Sequence, residues 1–125
     1  MGRIRRMIDV RGRESWTLFD SGARRTYITP AVAAKLTVSS LANPVRTALG
    51  GSHKQSSEAA VLEASVEGFP ISTHALVLDQ IGIDEDGKPI EVLFGALAMQ
   101  EWGIRLIPEH EKLDMTHYPT EFLEF

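Results

Sequence analysis

Apolar and polar residues alternate along much of the chain, which is the pattern of strands with one buried face. In the clearest example, Leu62, Ala64 and Val66 are separated by polar side chains. The same alternation, together with short apolar runs, predicts further strands at residues 4–10, 16–19, 45–49, 71–78, 92–94, 104–107 and 112–115. The pattern therefore predicts an all-β domain.

Two short segments have helical signals instead. Thr29 suits the N-cap and Pro30 the first position of a helix whose apolar face includes Leu36. A second helix is predicted at residues 96–102, with Gly103 as its C-terminal cap. We expect both helices to be short additions to the sheet.

Glycines mark the predicted reversals of the chain. Residues 43–68 are interpreted as a long hairpin with Gly50-Gly51-Ser52 at its tip, because glycine adopts the positive φ that a tight turn needs. Gly68-Phe69-Pro70 is predicted to turn the chain again. Residues 79–91 are predicted to form an acidic loop interrupted by glycine and proline.

The length of 125 residues fits a single domain, 1–125, that can bury a core. Hydrophobic residues make up 43% and charged residues 24%, which excludes disorder over the whole length. The chain has no cysteine, so a disulfide scaffold, a thiolate zinc site and a cysteine nucleophile are excluded.

Neither the histidines nor the acidic loop has the spacing of a metal site. The four histidines match no zinc pattern. Asp84 and Asp86 resemble part of a calcium loop, but its first and twelfth positions would be Gly82 and Leu93, which are not ligands. We therefore expect no metal.

The charge and the apolar runs also restrict the partners. The longest apolar runs are too short to span a membrane, and the basic N-terminus lacks the apolar stretch of a signal peptide. The net charge is −4 without a long basic patch. We expect a cytoplasmic protein with neither a nucleic acid nor a membrane as its partner.

The stretch Phe19-Asp20-Ser21-Gly22-Ala23 is the most informative part of the sequence. An apolar strand ends in a carboxylate, which places this group on a rigid element where it could activate water. The hydroxyl of Ser21 can fix the loop by hydrogen bonding, and Gly22 allows a substrate backbone to approach. The alternative is that Asp20 only caps a turn.

The segment 20–28 resembles the active-site stretch of the retropepsin-like aspartic proteases, which have Asp-Thr/Ser-Gly-Ala, two variable residues, Ser or Thr, an aromatic residue and Ile. Val92-Leu93-Phe94-Gly95 and the helix after it resemble the second landmark of that family. Gly50 and Gly51 fall where the family has its flap, and residues 104–115 resemble its closing hairpin. The similarity covers residues 4–115 in the correct order.

The resemblance implies a retropepsin-like half-barrel that works as a homodimer. The chain has one Asp-Ser-Gly, so Asp20 would pair with Asp20 of a second copy to hydrolyse a peptide or protein substrate without a cofactor. It also implies that Ser21 joins the two active-site loops, that Gly22 and Ala23 belong to those loops, and that Gly50 and Gly51 close over the substrate.

The chain departs from the retroviral pattern at two positions. Retroviral members usually have an acidic residue after Ala and an Arg after the second landmark Gly, where this chain has Arg24 and Ala96. In this respect it resembles bacterial and retrotransposon members more closely. The tail 116–125 is a candidate for the dimer sheet that viral enzymes build from their termini.

Four further points accompany this interpretation. Gly50-Gly51 could be an ordinary hairpin turn, and Gly95 is interpreted as a packing glycine without direct chemistry. Ser21 is not expected to be a nucleophile, because no histidine lies in a recognisable triad order. The alternative function is a retropepsin-like dimer that binds peptides or proteins without cutting them.

Overall fold

A tight hairpin of two eight-residue strands starts the chain. The computed structural model describes residues 2–122. Strands β1 (Arg3–Val10) and β2 (Arg13–Asp20) pair in register from Val10 opposite Arg13 to Arg3 opposite Asp20. The turn between them has positive φ at Arg11 and Gly12. The predicted first strand is confirmed.

The remaining elements follow in chain order. They are β3 (Thr26–Ile28), α1 (Pro30–Ala33), β4 (Val38–Leu49), β5 (Ser52–Val66), β6 (Phe69–Val77), β7 (Gly82–Ile83), β8 (Pro89–Ile90), β9 (Val92–Phe94), α2 (Ala96–Trp102), β10 (Arg105–Ile107), a 3₁₀ turn (Pro108–His110) and β11 (Lys112–Asp114). The mostly β architecture with two short helices agrees with the predicted fold class.

Seven strands form one sheet in the order β1-β2-β9-β3-β6-β5-β4. Asp9 of β1 also pairs with Ser65 of β5, so the sheet curls back on itself like a barrel, with β4 outside the closure. Two parallel pairings, β2 with β9 and β3 with β6, lie in the middle of this sheet. They bring the ends of β2 and β9 side by side.

The main core lies inside the curled sheet. The rings of Phe19 and Phe94 are both fully buried, with their centroids 4.9 Å apart. A second, smaller cluster lies under the β4–β5 hairpin. It consists of Tyr27, Ala59, Leu76, Leu78 and Leu93, with Val45 and Leu49 of β4 packed against it.

The hairpin is longer than its sequence pattern predicts. The turn is at Gly50-Gly51 as expected, with φ of 55° and 82°. However, β4 begins at Val38 rather than at residue 45, and β5 begins directly after the turn, at Ser52. The pairing shifts register between Ser40 and Val45, and this bulge conceals the alternation that would have marked the strand.

Smaller differences concern turns and caps. The turn after β5 is at Glu67 and Gly68, and Phe69-Pro70 already belongs to β6. The acidic loop contains the short β7–β8 pair. Thr29 is the N-cap as predicted, but its buried hydroxyl oxygen has no hydrogen-bond partner within the described residues.

Helix α2 and the segment after it agree closely with the prediction. The helix spans residues 96–102, and Gly103 caps it in the left-handed conformation. Within residues 116–122 the tail forms no strand. It folds back so that the Tyr118 ring lies 4.8 Å from Phe69 and 5.8 Å from Trp102, measured between centroids. Residues 123–125 lie outside the described residues.

No helix among the described residues is long and apolar enough to cross a membrane. The part of the chain that the structure describes also contains no cluster of three or more acidic, histidine or cysteine side chains that could hold a metal ion.

Candidate active site

Asp20 is the last residue of β2, which lies between β1 and β9 in the sheet. The preceding Phe19 is fully buried and pairs in register with Phe94 of β9. These two rings fix the end of the strand in the core, so the carboxylate of Asp20 stands on a rigid support.

The two oxygens of the Asp20 carboxylate have different partners. The Gly22 N–H donates to Oδ1 at 2.8 Å, and the Ala23 N–H donates to the Asp20 carbonyl at 3.1 Å. These bonds form a tight turn that sets the direction of the side chain. Oδ2 lies 3.4 Å from Nε of Arg3; the Arg3 side chain is 69% exposed and the Asp20 side chain 12%, so solvent screens this ion pair from the arginine side.

Ser21 forms hydrogen bonds with Gly2. The Gly2 N–H donates to Ser21 Oγ at 2.8 Å, and the Ser21 N–H donates to the Gly2 carbonyl at 3.1 Å. Ser21 Oγ also lies 3.3 Å from that carbonyl, to which it can donate. Together with Arg3, Gly2 therefore holds the active-site loop within one chain.

The second landmark packs directly against this loop. The N–H groups of Ala96 and Leu97 at the start of α2 donate to the carbonyls of Ala23 and Arg24, at 2.6 and 3.1 Å. A Cβ on Gly95 would lie 2.2 Å from the Arg25 carbonyl oxygen. The close approach of the two backbones therefore requires glycine at position 95.

The Gly95 N–H also has a buried partner. It donates to Oγ1 of Thr26 at 3.1 Å. Thr26 is the Ser-or-Thr position of the active-site stretch, and its hydroxyl thus connects β3 to the start of α2. Gly95 is far in sequence from Asp20 and Thr26, and the pairing of β9 with both β2 and β3 brings it next to them.

The β4–β5 hairpin stands next to the active-site loop. Tyr27 OH and Thr47 Oγ1 are 2.9 Å apart and join β3 to β4 by a hydrogen bond. A cleft of about 270 Å³ lies between residues 22–25 of the loop and residues 45–49 of β4. Gly22 and Ala23, predicted as loop residues, line this cleft. Gly50 and Gly51 form the exposed turn of the hairpin.

Two carboxylates, those of Asp84 and Glu91, hold the acidic loop against β2. The backbone N–H of Lys88 donates to Asp84 and lowers the pKa of that carboxyl, and Trp16 Nε1–H donates to its other oxygen at 2.8 Å. Burial raises the pKa of Glu91, but the Arg13 guanidinium at 2.6 Å and the Trp16 N–H outweigh it, so that pKa is lowered overall.

Sequence reasoning missed Gly2, Arg3 and Arg46 as neighbours of the site, and it placed Thr47 in the flap segment without predicting its hydrogen bond with Tyr27. A signal for Arg3 was present, because a two-residue turn at Arg11-Gly12 places Arg3 opposite Asp20 once the hairpin register is followed to its end. No comparable signal exists for Gly2 or for the two β4 residues, since their positions depend on the packing of distant segments.

Known proteins were compared with this chain by sequence and by fold. Residues 7–97 match a family model described as aspartyl protease. No curated protein matches the chain by sequence at a significant level.

Three solved structures have similar folds. The retroviral protease-like domain of Ddi1 from Leishmania major matches with a TM-score of 0.63 at 13% identity, over 93% of this chain and 90% of that chain. The EIAV protease complexed with the inhibitor HBY-793 matches with a TM-score of 0.58 at 18% identity, over 84% and 92%. The foamy viral protease-reverse transcriptase, in complex with an RNA/DNA hybrid, matches with a TM-score of 0.54 at 13% identity, over 82% and 12%. These similarities establish the retropepsin-like fold.

Proposed function

The chain belongs to the aspartyl protease family, and from this premise we propose that it is a homodimeric endopeptidase. Each copy supplies Asp20 to one catalytic dyad. The observation that carries the proposal is the placement of Asp20 at the end of β2, next to the buried Phe19, with Oδ1 held by the Gly22 N–H and Oδ2 3.4 Å from Nε of Arg3.

The stoichiometry of the site requires two chains. A dyad needs two aspartates that face one water, and the sequence contains a single Asp-Ser-Gly. A two-fold axis through the active-site loops would bring Asp20 of each copy together. Ser21 and Gly22 are exposed in the single chain, so this face is open to a second copy.

In the proposed reaction the two carboxylates share one proton, because adjacent carboxylates do not both ionise easily. The ionised carboxylate takes a proton from water, whose oxygen bonds to the carbonyl carbon of the substrate. The protonated partner donates a hydrogen bond to the carbonyl oxygen. The C–N bond then breaks, and the nitrogen leaves as an amine after it receives a proton from the pair.

This mechanism predicts a bell-shaped dependence of rate on pH with its maximum in the mildly acidic range. At high pH the pair loses its proton donor, and at low pH it loses its base. Because the two aspartates are equivalent before substrate binds, both limbs of the bell belong to the pair.

The deciding experiment joins two chains in tandem and replaces Asp20→Asn in one of them. The hybrid keeps one carboxylate and should be nearly inactive at every pH, because it cannot form the singly protonated pair. Asp79→Asn, which changes an exposed aspartate outside the site, is the matched control and should keep full activity. A hybrid that retains half of the activity would mean that each chain has its own complete site.

One observation favours the second candidate, a dimer that binds peptides without cutting them. Arg3 and Gly2 engage Asp20 and Ser21 within the chain, so both groups already have intrachain partners. A statine-type peptide separates the two functions, because a working dyad binds this transition-state mimic far more tightly than an ordinary peptide of the same sequence. Equal affinity for both peptides would support the non-catalytic function.

A further inference from the structure

The cleft between the active-site loop and β4 is basic. Three of the residues that line it are Arg24, Arg25 and Arg46, and no acidic residue lines it. We propose that this cleft selects peptides with an acidic side chain, aspartate or glutamate, close to the scissile bond. The proposal rests on the proposed function in that the cleft must receive a peptide.

These arginines differ from those in the first hairpin, because none of them forms an ion pair with another described residue. All of the arginines in β1, β2 and the turn between them form ion pairs with carboxylates: Arg3 with Asp20, Arg5 with Asp84 and Asp86, Arg6 with Glu67, Arg11 with Glu63 and Arg13 with Glu91. Within residues 2–122, by contrast, no carboxylate lies within ion-pairing distance of Arg24, Arg25 or Arg46.

The pattern of pairing is informative because the chain as a whole is acidic. With a net charge of −4, carboxylates are in excess over basic groups, yet three arginines line one cleft and none of them has a carboxylate partner among the described residues. Like charges held around one space repel one another, and this repulsion is relieved when an anion enters. A guanidinium can bind a carboxylate through two parallel hydrogen bonds, which makes arginine well suited to this recognition.

The position of the cleft restricts where the acidic residue lies in the substrate. Arg24 is four residues after Asp20, and an extended chain advances ~3.3 Å per residue. An extended peptide therefore spans the distance from Asp20 to Arg24 within about four residues. Because a homodimer would have two such clefts, the selected side chain can lie on either side of the scissile bond.

The three arginines are exposed, which limits the strength of each contact. An exposed ion pair contributes a factor of about 1.5 to 5 in an equilibrium constant, so three together give a preference on the order of tenfold. This preference should weaken as salt is added, because exposed charges are screened.

The experiment uses peptides that differ only in having Glu, Gln or Lys at each of the four positions on either side of the scissile bond. Their affinities are measured with the Asp20→Asn protein, which cannot cut them, and their kcat/KM values with the unaltered protein. We expect Glu to be favoured over Gln by about tenfold at one or more positions, and Lys to be disfavoured. In the triple variant Arg24→Gln, Arg25→Gln, Arg46→Gln this ratio should fall to about one.

Arg105→Gln is the matched control, because Arg105 is exposed and does not line the cleft. This variant should keep the Glu-to-Gln ratio. Equal affinity for the three peptides, or no binding of any of them, overturns the inference. So does a triple variant that weakens the dimer and leaves the ratio unchanged, since the arginines would then serve the subunit contact.

The affinity measurement and the kcat/KM measurement separate this inference from the proposed function. If Glu-containing peptides bind selectively but none is cut, the acidic selectivity holds and the endopeptidase is wrong. If peptides are cut with no preference for Glu, the endopeptidase holds and the selectivity is wrong.

Discussion

Ser21 and Gly2 form a reciprocal pair of hydrogen bonds, with Gly2 N–H donating to Ser21 Oγ at 2.8 Å and Ser21 N–H donating to the Gly2 carbonyl at 3.1 Å. When the Ser21 hydroxyl donates its single hydrogen to that same carbonyl, it can offer a second copy only a lone pair. The active-site loop therefore has a stable arrangement within one chain, which dimer formation has to modify or extend.

We predict that Ser21→Ala lowers the free energy of unfolding by about 1 kcal/mol, because it removes the hydroxyl that Gly2 uses. Urea unfolding of the two proteins measures this difference. Ser57→Ala is the control, because Ser57 is exposed and its side chain makes no hydrogen bond within the described residues. Equal stability of Ser21→Ala and the unaltered protein would show that the contact with Gly2 contributes nothing.

We predict that replacing Gly50 and Gly51 together by Val impairs peptide turnover far more than stability. Both residues have positive φ, which a β-branched side chain resists, although no atom lies within 4 Å of the added Cβ. Gly68→Val is the matched control, since Gly68 has the same type of φ and the same open space in a different turn. If the double variant and the control have equal kcat/KM, the hairpin is an ordinary turn and not a flap.

Gly95→Ala should destabilise the fold by at least ~2 kcal/mol, because the new Cβ would meet the Arg25 carbonyl oxygen at 2.2 Å. Gly87→Ala makes a useful comparison. Its positive φ is strained but the space around it is open, so it should cost only about 1 kcal/mol. Thermal unfolding of both variants measures the difference, and a Gly95→Ala protein as stable as Gly87→Ala contradicts the close packing of α2 on the active-site loop.

Asp84→Asn should reduce stability at neutral pH and have less effect in acid. The pKa of Asp84 is lowered in the folded chain, first by the N–H of Lys88, so the stabilisation is fully present above the ordinary pKa of about 3.9. It is lost as the pH falls through the lowered pKa. The amide of an asparagine has only one oxygen. If that oxygen accepts the hydrogen bonds from the loop backbone, the NH₂ group faces the N–H donors of Trp16 and Arg5.

Urea unfolding at pH 7 and at pH 3 measures this effect, with Glu85→Gln as an exposed neighbouring control. The difference in stability between Asp84→Asn and the unaltered protein should shrink at pH 3. A difference that is equal at both pH values would show that the ionised carboxylate of Asp84 is not what stabilises the loop.

The sequence by itself determined the elements whose signals are local. The end of α2 could be predicted because Gly103 supplies the left-handed cap, and β9 because Val92, Leu93 and Phe94 are buried without interruption. The Asp20 motif was also readable, since the strand, the carboxylate and the glycine are contiguous. The long β4 was missed because its first half is mostly exposed and interrupted by a bulge, so it has no apolar alternation.

Only the tertiary structure decided which groups surround Asp20. Gly2 and Arg3 reach it through the register of the first hairpin, and Gly95 through the parallel pairing of β2 with β9. The three arginines line the same cleft because the β4–β5 hairpin packs on Tyr27. Such contacts depend on how strands far apart in sequence are ordered in the sheet. Hydrophobic periodicity indicates which face of a strand is buried, but it does not indicate which strand lies beside it.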